Sequence, residues 1–199
     1  MASLLLKNVR IAFPKLWEPE VFAAGGKPKY NATFLFEKTG DTAKTVLATI
    51  KEVLREKFGE KAAEYGRTMK SNGKLCLNDG EKKAQYEGFE GQYYLNANNE
   101  NQPLVIDRGR EHLAAADGRI YPGCYVNAKV DIWAQDNNFG KRVNATLLGV
   151  QFFADGERFG GGGARATEED FEEYDPVKAA EIDPFDNAPQ EDLDPFPDE

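Results

Sequence analysis

The sequence contains very few of the side chains that bind metal ions. Among its 199 residues there is one histidine, His112, and there are two cysteines, Cys76 and Cys124, which lie far apart. A structural zinc site needs Cys and His ligands at short spacings, and no CxxC pair is present. We therefore predict that the protein binds no metal and no cofactor.

The cysteines and the lack of long apolar runs also indicate where in the cell the protein is found. Cys124 falls on the apolar side of a predicted strand, which favours buried free thiols in a reducing cytoplasm, with a disulfide as the alternative. Residues 1–7 form too short an apolar segment for a signal peptide, and no run approaches the roughly 18 residues of a membrane span. We predict a cytoplasmic protein with no membrane partner.

The chain carries a net negative charge, but acidic and basic residues are unevenly distributed along it. The net charge is −9, yet residues 164–199 alone contain 14 acidic and 2 basic residues, so the first 163 residues carry a net charge of +3. The chain is therefore a mildly basic body with a strongly acidic tail. This asymmetry indicates that the two parts have different partners or that one shields the other.

The segment from Cys124 to Gln135 alternates between apolar and polar residues and predicts a strand with one side in a core. Tyr125 and Trp133 fall on the other side, with Lys129 between them. Rings stack on nucleic-acid bases and cations neutralise phosphates, so this side is a candidate binding face. The alternative is a second core, formed if another element covers the two rings.

The rest of the body predicts a mainly β fold with an inserted helix. An apolar stripe follows Asp41, a candidate N-cap, and ends at Gly59, which predicts a helix; a shorter helical turn is predicted at 60–65. Phe34 and Phe36 are assigned to the core. Strands are predicted at 4–13 (ended by Pro14), 29–37, near 74–77, 91–97 and 104–107, and in a hairpin that continues to 153 after the loop 136–140.

This inventory fits an OB-fold-like small β-barrel, a fold that binds oligonucleotides on its strand face; another mixed β-sheet is the alternative. We predict an OB-fold-like domain over 1–159, a glycine hinge at 160–163 and a disordered acidic tail over 164–199. The four glycines lack the Lys-Ser/Thr of a phosphate-binding loop.

The acidic tail contains two copies of Asp-Pro-Phe, at 183–185 and 194–196. A solvated tail has no structural use for phenylalanine, so we predict that these segments bind a partner's pocket with a basic rim. The partner-binding residues are Asp183, Phe185, Asp194 and Phe196. The alternative is a tail that only increases solubility.

Several short motifs, in this order and spacing across residues 8–161, resemble a family of phage-encoded single-stranded DNA-binding proteins, once catalogued as a domain of unknown function. They are Asn8-Val9-Arg10, Leu16-Trp17-Glu18-Pro19, Pro28-Lys29-Tyr30, Tyr121-Pro122-Gly123-Cys124-Tyr125, Gly149-Val150-Gln151 and Asp155-Gly156-Glu157-Arg158-Phe159-Gly160-Gly161.

The resemblance implies an OB-fold that coats and protects single-stranded DNA without catalysis, during phage DNA replication or recombination in the host cytoplasm. The tail resembles the acidic, Phe-bearing C-termini that recruit replication and repair enzymes to such proteins. It departs from their commonest pattern because Phe196 is followed by three further residues. Self-association along DNA is a further expectation.

On this hypothesis, rings stack on bases and cations contact phosphates. Because a body charge of +3 is small, binding has to depend on a local stripe of cations. The predicted stacking residues are Tyr125, Trp133 and Phe139, with Trp17 and Tyr30 as second candidates. The predicted phosphate contacts are Arg10, Lys15, Lys29, Lys129, Lys141 and Arg142.

Two other functions remain open from the sequence. A metal-dependent nuclease would need converging carboxylates, and the candidates Asp107, Glu111, Asp117 and Asp131 show no such spacing. A protein-interaction adaptor would use Tyr125 and Trp133 to bind another protein.

Overall fold

The computed structural model describes residues 1–21 and 25–160. The predicted acidic tail, its Asp-Pro-Phe segments and residues 161–163 of the predicted hinge lie outside the described residues. The described part contains seven strands in one sheet, in the order β3-β4-β2-β1-β6-β7-β5. The strands are Ala2–Glu20 (β1), Lys29–Glu37 (β2), Leu77–Asp79 (β3), Gln92–Asn99 (β4), Leu104–Ile106 (β5), Tyr125–Asn137 (β6) and Gly140–Ala154 (β7).

Five of these strands close into a barrel. β1 pairs antiparallel with both β2 and β6, β2 pairs with β4, and β6 pairs with β7. A parallel pairing of Asn98 with Thr146 joins β4 to β7 and completes the circle, and the Asn99 side chain donates to the Leu147 carbonyl at 2.9 Å. The fold is a mostly β, OB-fold-like barrel with a helical insertion, as predicted.

The helical insertion contains two helices, where the sequence predicted one helix and a shorter turn. They are Asp41–Phe58 (α1) and Ala62–Ser71 (α2), and both lie between β2 and β3. Asp41 was predicted as the N-cap, but Gly40 occupies that position and Asp41 begins the helix. α2 extends beyond the turn predicted at 60–65 and continues through Gly66, where the missing Cβ atom allows the two helices to approach closely.

The first strand is longer than predicted. Pro14 was expected to end it, yet β1 continues to Glu20, because a bulge between Ala12 and Lys15 accommodates the proline without breaking the pairing with β2. Proline in a sheet is confined to edges and bulges for this reason. The β6–β7 loop is also tighter than predicted, since Asn137 already pairs with Gly140.

The barrel interior is an apolar core built from alternate residues of each strand. The predicted core side of β6 is confirmed, because Val126, Ala128, Val130 and Ile132 are all fully buried. Phe34 and Phe36 of β2 are buried as predicted. α1 packs against this core through Ala43, Val46, Ile50, Val53 and Leu54.

Both cysteines are free and buried, as the first of the two sequence interpretations predicted. Burial raises the pKa of the Cys76 thiol to about 12, because the thiolate would lie in an apolar environment. Across residues 1–21 and 25–160, no helix has both the length and the apolar character needed to span a bilayer.

Candidate nucleic-acid interface

An open groove of about 950 Å³ lies on the outside of the barrel, over the paired strands β2 and β4. The second half of β1 forms one side of it. The segment between β3 and β4, the segment before β6 and Arg158 after β7 contribute the rest. β2 and β4 are the second and third strands of the barrel, and this face is the one that OB-folds use for oligonucleotides.

The floor of the groove consists of short polar side chains. β2 and β4 pair so that Asn31 lies opposite Asn98 and Thr33 lies opposite Asn96. The Thr33 hydroxyl donates to the Asn96 Oδ1 at 2.8 Å. The buried Nδ2 of Asn31 has no hydrogen-bond partner among the described residues.

Two aromatic rings stand at one end of the groove. Phe13 is 42 % exposed and Tyr86 is 44 % exposed, and their ring centroids lie 5.2 Å apart with the rings nearly perpendicular. Both rings also lie near Phe89, which is buried in a small second cluster with Ala12, Leu35 and Tyr94. The cluster fixes the two rings and leaves part of each exposed.

Three cations line the groove: Lys15, Lys83 and Arg158. The Lys83 ammonium lies 5.0 Å from the centroid of the Tyr94 ring and 5.6 Å from that of Phe13. Desolvation by this partial burial lowers the pKa of Lys83. The Arg158 guanidinium lies 4.2 Å over the Tyr121 ring, and no residue in the described ranges forms a salt bridge with any of the three.

The bulge in β1 directs side chains into this groove. Phe13 has a φ of 49°, an uncommon value for a residue with a bulky side chain. Ala12 still pairs with Thr33, and pairing resumes at Lys15 with Asn31. As a result Phe13, Pro14 and Lys15 all line the groove, whereas a regular strand would direct alternate residues inward.

Two motifs of the sequence resemblance, residues 121–125 and 155–161, contact each other beside the groove. Tyr121 donates its hydroxyl to Asp155 at 3.0 Å, and the backbone N–H of Phe159 donates to the Pro122 carbonyl at 2.9 Å. We call this contact of residues 121–125 with 155–159 the C-terminal junction. Its role is positional, because it places Arg158 at the groove.

Of the predicted site residues, Lys15 and Trp17 lie together in the groove. The Trp17 ring is half-buried, and its Nε1–H donates to the Leu113 carbonyl at 3.1 Å. Lys15 is exposed.

Arg10 and Tyr125 lie in a second, smaller cleft beside the groove. The Arg10 guanidinium lies 4.2 Å from the Phe159 ring centroid and 5.6 Å from that of Tyr125, and its Nε donates to the Gly123 carbonyl at 3.0 Å. These contacts hold the C-terminal junction against β1. They do not depend on the phosphate contact that the sequence predicted for Arg10.

Trp133 and Lys129 lie on the outer side of β6, as the alternation predicted. Trp133 is half-buried and its Nε1–H donates to the Thr146 hydroxyl at 3.0 Å, while Lys129 is exposed. Tyr125 and Trp133 are eight residues apart, or about 26 Å along a strand. They therefore belong to different parts of the surface.

The β6–β7 turn and the start of β2 contain other predicted residues. Phe139 is 84 % exposed at the turn. Lys141 forms an ion pair with Asp136 at 2.8 Å, and this hydrogen bond raises the pKa of Lys141. Arg142 is exposed and lines a shallow cleft that shares Asn96 and Asn98 with the groove. Lys29 and Tyr30 are half-buried at the start of β2.

Sequence reasoning missed much of the groove: Phe13, Asn31, Lys83, Tyr86, Asn96, Asn98 and Arg158. The alternation Asn96-Ala97-Asn98, at the end of the strand predicted at 91–97, is a detectable signal, since an extended chain there places two amides on one side. Lys83 ends the short 3-10 helix Gly80–Lys83 and Tyr86 follows it, and no local pattern indicates where this segment lies.

The nuclease candidates do not converge. Asp107 accepts a hydrogen bond from the backbone of Glu111, Asp117 caps its own turn, and Asp131 lies on β6. Within the described ranges there is no group of three or more His, Cys, Asp or Glu residues that could hold a metal ion.

Comparison with known proteins identifies the family of this chain. A family model described as "Enterobacter phage Enc34, ssDNA-binding protein" matches residues 2–181. The chain belongs to this family. Among curated proteins, this chain is similar to putative protein p50 of Acyrthosiphon pisum secondary endosymbiont phage 1. The two are 46 % identical over 182 residues, which cover 90 % of this chain and 96 % of p50.

Solved structures agree with the Enc34 family assignment. The single-stranded DNA-binding protein of bacteriophage Enc34 in complex with single-stranded DNA is similar with a TM-score of 0.66 and 29 % identity, covering 79 % of this chain and 89 % of that one. The bacteriophage T7 single-stranded DNA-binding protein gp2.5 has a TM-score of 0.51 at 11 % identity, covering 94 % of this chain and all of that one. The T7 likeness concerns the fold alone.

Proposed function

We propose that this protein binds single-stranded DNA, without sequence preference and without catalysis, in the groove over β2 and β4. The observation that carries the proposal is the combination of two exposed rings and three cations around a polar floor. Single-strand binding needs rings that stack on bases and cations that follow the backbone. Membership of the Enc34 family supports the same function.

We propose different roles for the residues of the groove. Phe13 and Tyr86 stack on bases, and Lys15, Lys83 and Arg158 contact phosphates. Asn31, Asn96 and Asn98 hydrogen-bond to bases or sugars. Trp17 forms part of the groove wall. A longer DNA strand would continue past Asn96, Asn98 and Arg142. Beyond that point it would contact the residues predicted on β6 and at the β6–β7 turn.

Salt dependence tests the groove. Each phosphate contact with single-stranded DNA contributes about −0.7 to the slope of log affinity against log salt, so three cations give about −2. We expect Lys15→Gln to weaken binding of labelled oligo(dT) and to reduce the slope by about 0.7, measured by fluorescence anisotropy. Lys7→Gln, an exposed lysine of β1 outside the groove, is the control. Equal slopes in the two variants would contradict the assignment.

A protein of this kind coats and protects single strands during phage DNA replication or recombination in the host cytoplasm. Its acidic tail would shield the groove in the absence of DNA, and DNA would release the Asp-Pro-Phe segments for replication and recombination proteins. Two facts support the shielding role. Residues 164–199 carry a net charge of −12, and Arg158, two residues before the last described residue, lines the groove.

Deleting residues 164–199 is expected to tighten DNA binding, because an anionic competitor for the cationic groove is removed. The gain is expected to be largest at low salt, where screening is weakest. Oligo(dT) titrations of the full-length and shortened chains at two salt concentrations measure it. A chain of full length whose tail acids are replaced by Asn and Gln serves as the control and should match the deletion. Unchanged affinity in both would remove the shielding role.

A further inference from the structure

The helical insertion carries a small apolar depression with a basic rim, which we call the helix dimple. Its volume is about 420 Å³. Its apolar lining comes from one residue of α1 and three of α2, and its cations come equally from both helices. The lining residues are Leu54, Ala62, Ala63 and Gly66, and the cations are Lys51, Arg55, Arg67 and Lys70.

The small residues of α2 create the depression. Leu54 and Ala62 are buried where the helices pack together. A Cβ atom on Gly66 would lie 3.2 Å from the Leu54 Cδ1, tighter than most real contacts. Glycine therefore allows the close approach of α2 to α1, and Ala63 beside it leaves space that a longer side chain would fill.

The charge of the helix dimple is of one sign. Four of its eight lining residues are cations and none is acidic. In the described part of the chain, none of the four forms a salt bridge. The dimple shares no lining residue with the groove over β2 and β4, so DNA binding in that groove does not account for it.

We propose that the helix dimple binds a phenylalanine within an acidic peptide, and that the occupant is the C-terminal segment of a second copy of this chain. Residues 181–199 contain eight acidic residues, no basic residue and two phenylalanines, each in Asp-Pro-Phe. The ring of Phe185 or Phe196 enters the apolar centre, and the neighbouring carboxylates contact the basic rim. This is the kind of pocket that the sequence predicted for the segment's partner.

Chain length permits the contact between copies. The 22 residues from 161 to 182 can extend to about 75 Å, which is enough to reach a neighbouring copy. If the protein binds single-stranded DNA, as the proposed function states, this contact links successive copies on one DNA strand. The contact itself does not depend on DNA.

A peptide titration tests the helix dimple. A fluorescein-labelled peptide of residues 181–199 is titrated with the full-length protein, with and without saturating oligo(dT), and anisotropy is measured. We expect binding under both conditions, since oligo(dT) occupies the groove and leaves the dimple free. The protein's own tail competes with the labelled peptide most strongly in the parent, so the loss of affinity measured for a dimple variant is a minimum value.

Matched charge variants identify the site. We expect Lys51→Glu with Arg67→Glu to weaken peptide binding at least tenfold. Lys44→Glu with Lys57→Glu makes the same charge change on exposed residues of α1 outside the dimple and should leave binding within twofold. Circular dichroism confirms that both variants fold. A peptide with Phe185→Ala and Phe196→Ala should bind at least tenfold more weakly than the natural one.

Four results would overturn the proposal: no binding to the parent, equal loss in the two charge variants, equal binding of the peptide that lacks phenylalanine, or complete displacement of the peptide by oligo(dT). The last result would assign the peptide to the groove. The proposed function has a separate readout, because a parent that fails to bind oligo(dT) rejects that function without changing the peptide result.

Discussion

The double variant Phe13→Ala, Tyr86→Ala is expected to bind oligo(dT) at least about 30-fold more weakly than the parent. Each stacked base contributes about 1–3 kcal/mol, and about 1.4 kcal/mol corresponds to a factor of ten in affinity, so even the lower bound for two rings gives this loss. The rings are 42 % and 44 % exposed at the groove, where they can contact bases. Anisotropy of labelled oligo(dT) measures the effect.

The control removes similar exposed apolar surface elsewhere. Leu148→Ala with Phe153→Ala truncates two side chains of β7 that are 36 % and 39 % exposed and line no part of the groove. Its affinity for oligo(dT) should stay within twofold of the parent. Urea unfolding of both variants separates lost binding from lost stability. If both variants bind like the parent, stacking in this groove is wrong.

Gly123→Ala is expected to lower the free energy of unfolding by about 3 kcal/mol or more. Gly123 has a φ of +103°, and a Cβ atom there would lie 2.0 Å from the Glu157 carbonyl oxygen. The collision is with backbone, so the C-terminal junction has to move. Strained backbone costs about 1–3 kcal/mol by itself, and the loss of packing at the junction adds to that cost.

A second glycine separates the two contributions. Gly118 also has a positive φ, +61°, but a Cβ atom there would meet nothing within 4 Å. Gly118→Ala should therefore cost only the left-handed conformation itself, about 1–2 kcal/mol. Urea midpoints of both variants measure the difference. Equal losses would mean that the junction adjusts to the collision, and that its close contact with Gly123 is not needed for stability.

The parts of this fold that the sequence predicts well are those with strong local periodicity. β2 matches its predicted bounds, 29–37, and the buried side of β6 follows from alternation alone. α1 follows from its apolar stripe and from Gly59, although Gly40 rather than Asp41 precedes it. In each case, the apolar residues that define the buried side of the helix or strand all lie within that one element, so local sequence is enough to identify them.

The groove was not predictable in the same way because it is a property of several elements. Alternation in β6 identifies an outer side, but which outer side of the barrel is concave depends on the closure of β4 against β7 through Asn98 and Thr146. The bulge that exposes Phe13 depends on how β1 pairs with β2. Lys83 and Tyr86 reach the groove from a single 3-10 turn and the residues after it, a segment too short to show a hydrophobic period.

The structure gives a physical reason for two of the motifs on which the family resemblance is based, which the sequence alone did not indicate. Tyr121-Pro122-Gly123 and Asp155-Gly156-Glu157-Arg158-Phe159 are distant in the sequence, yet they form one contact, with Arg10 of the first motif against Phe159. The sequence suggested Arg10 as a phosphate contact, and that role stays a prediction. Its visible contacts stabilise the segment that presents Arg158.

The amide floor formed by Asn31, Asn96 and Asn98 has a consequence for selectivity. A carboxamide group has one end that donates hydrogen bonds and one end that accepts them, and rotation by half a turn exchanges the two ends. A purine or a pyrimidine in the same position can therefore find a matching partner without any movement of the backbone. Under the proposed function, this property of the amide side chains would let the groove hold purines and pyrimidines with similar strength.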